Sequence, residues 1–164
     1  MVGTLETLDS ISHLFVTDEI KTCILTLDSP FKSDEKVDME ITKLYKHTSF
    51  DISLINNSPF IEIDVYPKCY VKSSGKHYDY TKSENIKKLE AATNIYIENI
   101  IRNYLYKITK NYNSDIAAFG ERFTANFLTL DEFEKIHWNS IFSSSFYKVN
   151  VHTKITSSKL FNKQ

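Results

Sequence analysis

Residues 83–112 read SENIKKLEAATNIYIENIIRNYLYKITKNY, and their periodicity decides the fold class. Apolar positions recur at Ile86, Leu89, Thr93, Ile97, Ile100, Tyr104 and Ile108. At 100° per residue these share one face, which is the helical template and not the alternation of a strand. Ile101 and Leu105 widen the stripe on one flank, while Lys88, Asn99, Arg102 and Lys110 lie opposite. Thr81 with Glu84 three residues on predicts a capping box at the start. A helix of this length spans about 45 Å and is not stable alone, so its apolar face predicts a broad, flat partner surface.

The flanking sequence supplies that surface. Leu8, Ile11, Leu14 and Phe15 recur at spacings of three and four, which predicts a helix over 7–16 capped by Thr7 or Asp9. Residues 20–27 read as a strand that stops at Asp28-Ser29-Pro30. Strand 37–56 follows, with Val37, Met39, Ile41 and Tyr45 on one face. Past His47 the apolar phase passes to Phe50, Ile52 and Leu54, which predicts a bulge or kink at Lys46–Ser49. Asn56-Asn57-Ser58-Pro59 is a turn, and strand 60–72 returns through Ile61, Ile63, Val65, Cys69 and Val71 as the second arm of a long hairpin. Pro67 in that run predicts an edge position or a bulge.

Ser73-Ser74-Gly75-Lys76 closes the strand section. After the long helix, 115–127 and 130–142 predict two more helices, the first with Ile116, Phe119, Phe123 and Phe127 inward and the second opened by Thr129 and Glu132. Residues 146–156 alternate as a strand that rejoins the sheet, and the tail from Ser157 is expected to fray. The order predicts an α+β fold: a mainly antiparallel sheet of about four strands, packed on one face by the long helix and two or three shorter ones.

Composition narrows the function. At 164 residues, with three glycines and three prolines, the chain is long enough for one real core and has no low-complexity linker. A net charge of −1 and only two arginines, Arg102 and Arg122, give no nucleic-acid footprint. No apolar run approaches the roughly 20 residues of a membrane span, and no signal-peptide pattern opens the chain. Cys23 and Cys69 are isolated and read as two buried strand thiols; a disulfide between them is the alternative, and zinc is not indicated.

No phosphate loop, nucleophile elbow or zinc motif is present. His13, His47, His77, His137 and His152 are scattered, with no nucleophile paired to any of them. Asp115 and Glu121 are read as a helix cap and a residue facing solvent or a basic neighbour, in preference to an acid/base pair. Gly120 inside a helix marks close approach of another element, of this chain or of a partner. Tyr106 points off the main stripe, so it is read either as a protein interface or as an ordinary rim.

Three segments then resemble one family. Ser114-Asp115-Ile116-Ala117-Ala118-Phe119-Gly120-Glu121 follows an SD-x-x-GFGE-like motif; Trp138-Asn139-Ser140-Ile141-Phe142 and Val149-Asn150-Val151 follow in the same order. Val2-Gly3-Thr4-Leu5 is similar to that family's V-G-x-L opening. The chain thus resembles the C-terminal domain of the Ger(x)C spore germination lipoproteins, the germinant-receptor C subunits, over nearly its whole length. Ala118 stands where the family usually has a glycine, Leu128 replaces a common proline, and Thr153-Lys154-Ile155-Thr156 lacks the usual basic pair.

The resemblance implies a single domain of a larger lipoprotein, anchored by a lipid on a cysteine upstream of this chain and working with integral-membrane A and B subunits in the spore inner membrane. It implies no catalysis and no cofactor. Ser114, Asp115, Phe119, Gly120, Glu121 and Trp138 are its motif residues, without an assigned role. Tyr106 and Glu121 are the expected interface for assembly of the receptor and the germination response. A nutrient-binding module is the alternative, and an unrecognised hydrolase a remote third.

Overall fold

The computed structural model describes residues 3–73 and 82–156. Thr81 of the expected capping box, the closing turn from Ser74, His77 and the tail from Ser157 lie outside the described residues.

The long helix, α2 (Ser83–Tyr106), continues as a π turn over Lys107–Asn111. Leu89, Ile97, Ile101, Tyr104 and Leu105 of its stripe are fully buried. Each buried aliphatic side chain of this size contributes about 1.5–3 kcal/mol. Thr93 is buried as well, its hydroxyl donating to the Leu89 carbonyl (2.7 Å), so the polar atom is satisfied within the helix. The stripe packs on α1 (Thr7–Val16) and on strand β6 (Phe146–Val151). In α1, the N-cap is Glu6 and not Thr7 or Asp9; the Glu6 N–H donates to Asp9 Oδ2 (3.1 Å).

The strands are distributed over two sheets. β1 (Cys23–Asp28), β2 (Lys36–Leu44), β5 (Pro67–Ser73) and β7 (Lys154–Ile155) form one, in the order β1-β2-β5-β7. β3 (Ser49–Ile55), β4 (Ser58–Val65) and β6 form the other, in the order β3-β4-β6. A single long hairpin runs through both: β2 pairs with β5 and β3 with β4, all antiparallel. It bends at residues 45–48, where the apolar phase changes. Thr48 is buried there and pinned, its hydroxyl to the Phe15 carbonyl (2.9 Å) and its N–H to Asp18 (3.2 Å). At the far tip Asn56 and Asn57 both have positive φ (52° and 61°), the two-residue turn that matches strand twist.

Pro67 opens β5, which lies inside its sheet; as the first residue of the strand its missing N–H disturbs the ladder least. The last strand follows the same bend. β6 lies parallel to β4 and β7 parallel to β5, with the His152 N–H donating to the Val65 carbonyl between them (2.8 Å). Parallel pairing is what the helical excursion permits, since the chain returns from the opposite end.

Cys23 and Cys69 are free thiols. Both stand opposite Ile41 of β2, on its two sides, so they are two strand spacings, roughly 9–10 Å, apart and too far to bridge.

The segments expected as helices 115–127 and 130–142 are broken up. α3 covers only Phe119–Phe123, followed by a 3-10 turn at Thr124–Asn126. α4 (Leu130–Glu134) and α5 (Trp138–Ile141) are separated by His137, which has positive φ (53°). Ile116, expected inward, is 40 % exposed, and Ala117 is buried in its place.

Candidate functional site

Asp115 is the polar centre of the motif. It lies in the turn before α3, and its carboxylate accepts three N–H groups: Phe119 at Oδ1 (3.0 Å), and Gly120 (2.7 Å) and the Trp138 indole Nε1–H (2.9 Å) at Oδ2. Two of these are first-turn amides of α3, which have no partner inside the helix. A carboxylate there gives charge-assisted bonds and favours the helix start. The third bond ties α5 to the same point.

Gly120 makes that bond fit. A Cβ built on it would sit 2.6 Å from Trp138 Cδ1 and Nε1, so the indole rests directly on the glycine. The close approach comes from this chain. Trp138 is held on its other sides by Phe123, Phe133 and Phe142, at ring centroid distances of 5.5, 6.4 and 6.0 Å. Phe119 is fully buried and meets Phe50 edge-on (5.9 Å) and Tyr147 (6.0 Å), which anchors the turn to the three-stranded sheet. Arg122 lies over the Phe50 ring (4.4 Å). Burial pushes the Tyr147 hydroxyl well above its usual 10.

Ala118, just before α3, has φ 57° and ψ 38°. This is the left-handed region that glycine enters freely and L-residues enter at a cost. Asn113 (φ 45°) and His137 (φ 53°) are also left-handed and flank the same turn. None of the three was foreseen. Local pattern does not record φ, although Asn is the residue type that tolerates this region best.

The end of α2 is a junction. Lys107 pairs with Asp9 of α1 (2.6 Å), and the bond to Asp9 raises the lysine pKa. Lys110 donates to the Ser143 carbonyl. The Tyr112 hydroxyl donates to the Thr4 carbonyl (2.8 Å), and its ring occupies the space a Cβ on Gly3 would need. With so few glycines in the chain, Gly3 was a signal that could have pointed to this contact. Ser114 closes the π turn with its N–H on the Ile108 carbonyl (2.9 Å).

Tyr106 is 62 % exposed at the end of α2, and Glu121 is exposed on α3. Among the described residues no hydrogen bond, ion pair or ring contact joins these two. Ser114, Asp115, Phe119, Gly120 and Trp138 come together; Tyr106 stands apart from them. Beside the motif turn is a groove of about 600 Å³, with Phe133 and Trp138 in its wall and Glu121, Glu134 and His137 along it.

The other described histidines serve contacts within the fold. His13 Nδ1 meets the buried Tyr104 hydroxyl (2.7 Å), His47 meets Asp18, and His152 meets Asp64 (2.9 Å) while stacking on Tyr66. Among the described residues no cluster of three or more His, Cys, Asp or Glu could hold a metal ion. No helix there is long and apolar enough to cross a membrane.

Comparison with known proteins is consistent with this arrangement. No curated protein matches the chain. A solved structure described as the crystal structure of the GerBC protein superposes with a TM-score of 0.80 over 95 % of this chain, at 20 % identity. The chain spans 47 % of that protein, about half its length. At this identity the likeness is one of fold. The family model described as spore germination B3/GerAC-like, C-terminal, matches residues 1–159, from the Gly3 contact through the Asp115–Gly120–Trp138 lock to the last strand. The chain therefore belongs to the family of spore germination B3/GerAC-like C-terminal domains.

Proposed function

We propose that this chain is a non-catalytic docking domain of a spore germinant-receptor C subunit. In this reading residues 1–164 are one domain of a longer lipoprotein held at the spore inner membrane by a lipid outside this chain. It contributes to receptor assembly and the germination response through contacts with the integral-membrane A and B subunits. The observation that carries the reading is how the motif spends its polar groups. The Asp115 carboxylate is occupied by two backbone amides and the Trp138 indole, so the motif builds a rigid turn and leaves no free acid or base at its centre. What the turn presents to solvent is surface, the groove and Glu121, and Tyr106 is exposed separately at the end of α2.

Direct nutrient binding is less well supported. A carboxylate clamp would fall to arginine, but Arg102 pairs with Glu98 (3.6 Å) and Arg122 covers Phe50. The test is retention of separately solubilised A and B subunits by the purified chain, with Tyr106→Ala/Glu121→Arg as the interface variant. Retention of a subunit at micromolar concentration, lost in the folded variant, is expected. Equal retention by the variant refutes the assigned interface, and no retention by the folded wild type refutes docking.

A further inference from the structure

We infer that the groove between the motif turn and α4–α5 receives a basic side chain, arginine above lysine, presented by a partner protein. The inference rests on the docking reading and adds the chemistry of the partner. Two observations carry it, one of shape and one of charge.

The groove of about 600 Å³ lies between α3, on which Glu121 sits, and the α4–α5 segment, which carries Glu134 and His137. Its wall is apolar where Phe133 and Trp138 reach it. Outside the lining, Leu130 is 68 % exposed and lies one turn from Glu134 on α4, and Leu128 is 95 % exposed two residues before it.

Charge selects the occupant. Glu121 and Glu134 line the groove, and no lysine or arginine lines it. Neither carboxylate has a hydrogen bond or ion pair among the described residues, whereas Asp115 beside them is fully engaged. An acidic ligand would be repelled. An aliphatic ligand would fill the groove but bury the two carboxylates without partners. A long basic side chain satisfies both demands: its methylene stem lies along Phe133 and Trp138 while its charged head meets the carboxylates. Glu121 on α3 and Glu134 on α4 both line the groove, and a pair of carboxylates suits the planar fork of a guanidinium better than a point charge.

Trp138 is the only tryptophan of the chain, so its indole N–H is a unique reporter of groove occupancy. The probe is Nα-acetyl-arginine methylamide, with the neutral isostere Nα-acetyl-citrulline methylamide as control. The expected result is a saturable shift of the Trp138 indole resonance by the arginine probe, with a Kd of roughly millimolar order. The Glu121→Gln/Glu134→Gln variant and the citrulline probe should each bind about tenfold more weakly or worse. Equal binding by citrulline, equal binding by the Gln variant, or no shift with the arginine probe overturns the inference. The same variant in the subunit-retention assay separates the two levels. Retention unchanged from wild type removes the groove while docking stands. Failure of wild-type retention removes docking, and the probe titration alone then decides the groove.

Discussion

Replacing Gly120 by alanine tests whether the glycine–tryptophan contact holds the motif together. The added Cβ would lie 2.6 Å from two atoms of the Trp138 ring and 3.1 Å from a third. Phe123, Phe133 and Phe142 bear on the indole and limit how far it can move. Overpacking of this kind costs about 1–3 kcal/mol. Any shift of the ring also stretches its hydrogen bond to the Asp115 carboxylate, and a bond to a charged group is worth about 1.5–3 kcal/mol. Opposing this, alanine is favoured over glycine within a helix by about 1 kcal/mol. The balance is a destabilisation of about 1.5–5 kcal/mol, the upper end applying if the hydrogen bond is lost outright, read as the loss of unfolding free energy in urea by far-ultraviolet circular dichroism. The partner substitution identifies the cause: in a Trp138→Phe background the ring pressing on residue 120 is smaller, and the two changes should couple by about 1–2 kcal/mol. A Gly120→Ala protein within about 0.5 kcal/mol of wild type, the size of an ordinary surface effect, would refute the reasoning, as would strict additivity with Trp138→Phe.

Three further outcomes follow from particular residues. Ala118→Gly should stabilise the chain by up to about 1.6 kcal/mol, because relief of the left-handed strain (about 1–2 kcal/mol) outweighs the added freedom of the unfolded chain (about 0.4–1 kcal/mol); a lower melting temperature would contradict the φ of 57°. The His47 pKa is raised above 6.5, first by its hydrogen bond to Asp18, so this contact contributes fully below the unfolded value and is lost as pH rises through the folded one. The melting-temperature difference between wild type and His47→Gln should therefore shrink as pH rises from about 5 to about 8; a constant difference would remove the contact's role. Burial pushes the Cys23 thiol up to about 11 and leaves Cys69 fully covered, so the native protein should react with a thiol reagent near neutral pH far more slowly than the unfolded chain, and oxidation should not link the two.

Much of the fold was legible because it is written in local period. The α2 stripe, the long hairpin and the alternation of the last strand each show in the spacing of apolar residues. The kink near residues 46–49 showed too, since a change of phase cannot be absorbed by a straight strand. The site was less legible. Gly120 announced a close approach, but its neighbour was 18 positions away at Trp138, and nothing in the intervening sequence specifies that pairing. The overlong helices expected at 115–127 and 130–142 failed for one reason. Their apolar spacing is helical, yet Ala118 and His137 turn left-handed to let Asp115 and Trp138 meet. Tertiary contact overrode propensity at both places.

The sequence by itself determined the first helix, the long helix and the strand runs, which face of each is apolar, and, through the motif and its order, the family. These are properties of side-chain period and of short runs of residue types, which act over a few residues. Only the tertiary structure decided that one hairpin serves two sheets, that the final strand runs parallel through the same bend, and that Cys23 and Cys69 face Ile41 from opposite sides. It also decided that Asp115 closes its own turn on Trp138 and leaves Glu121 and Glu134 open to the groove. Those outcomes depend on which distant surfaces bury one another, and that is settled by the packing of the whole chain.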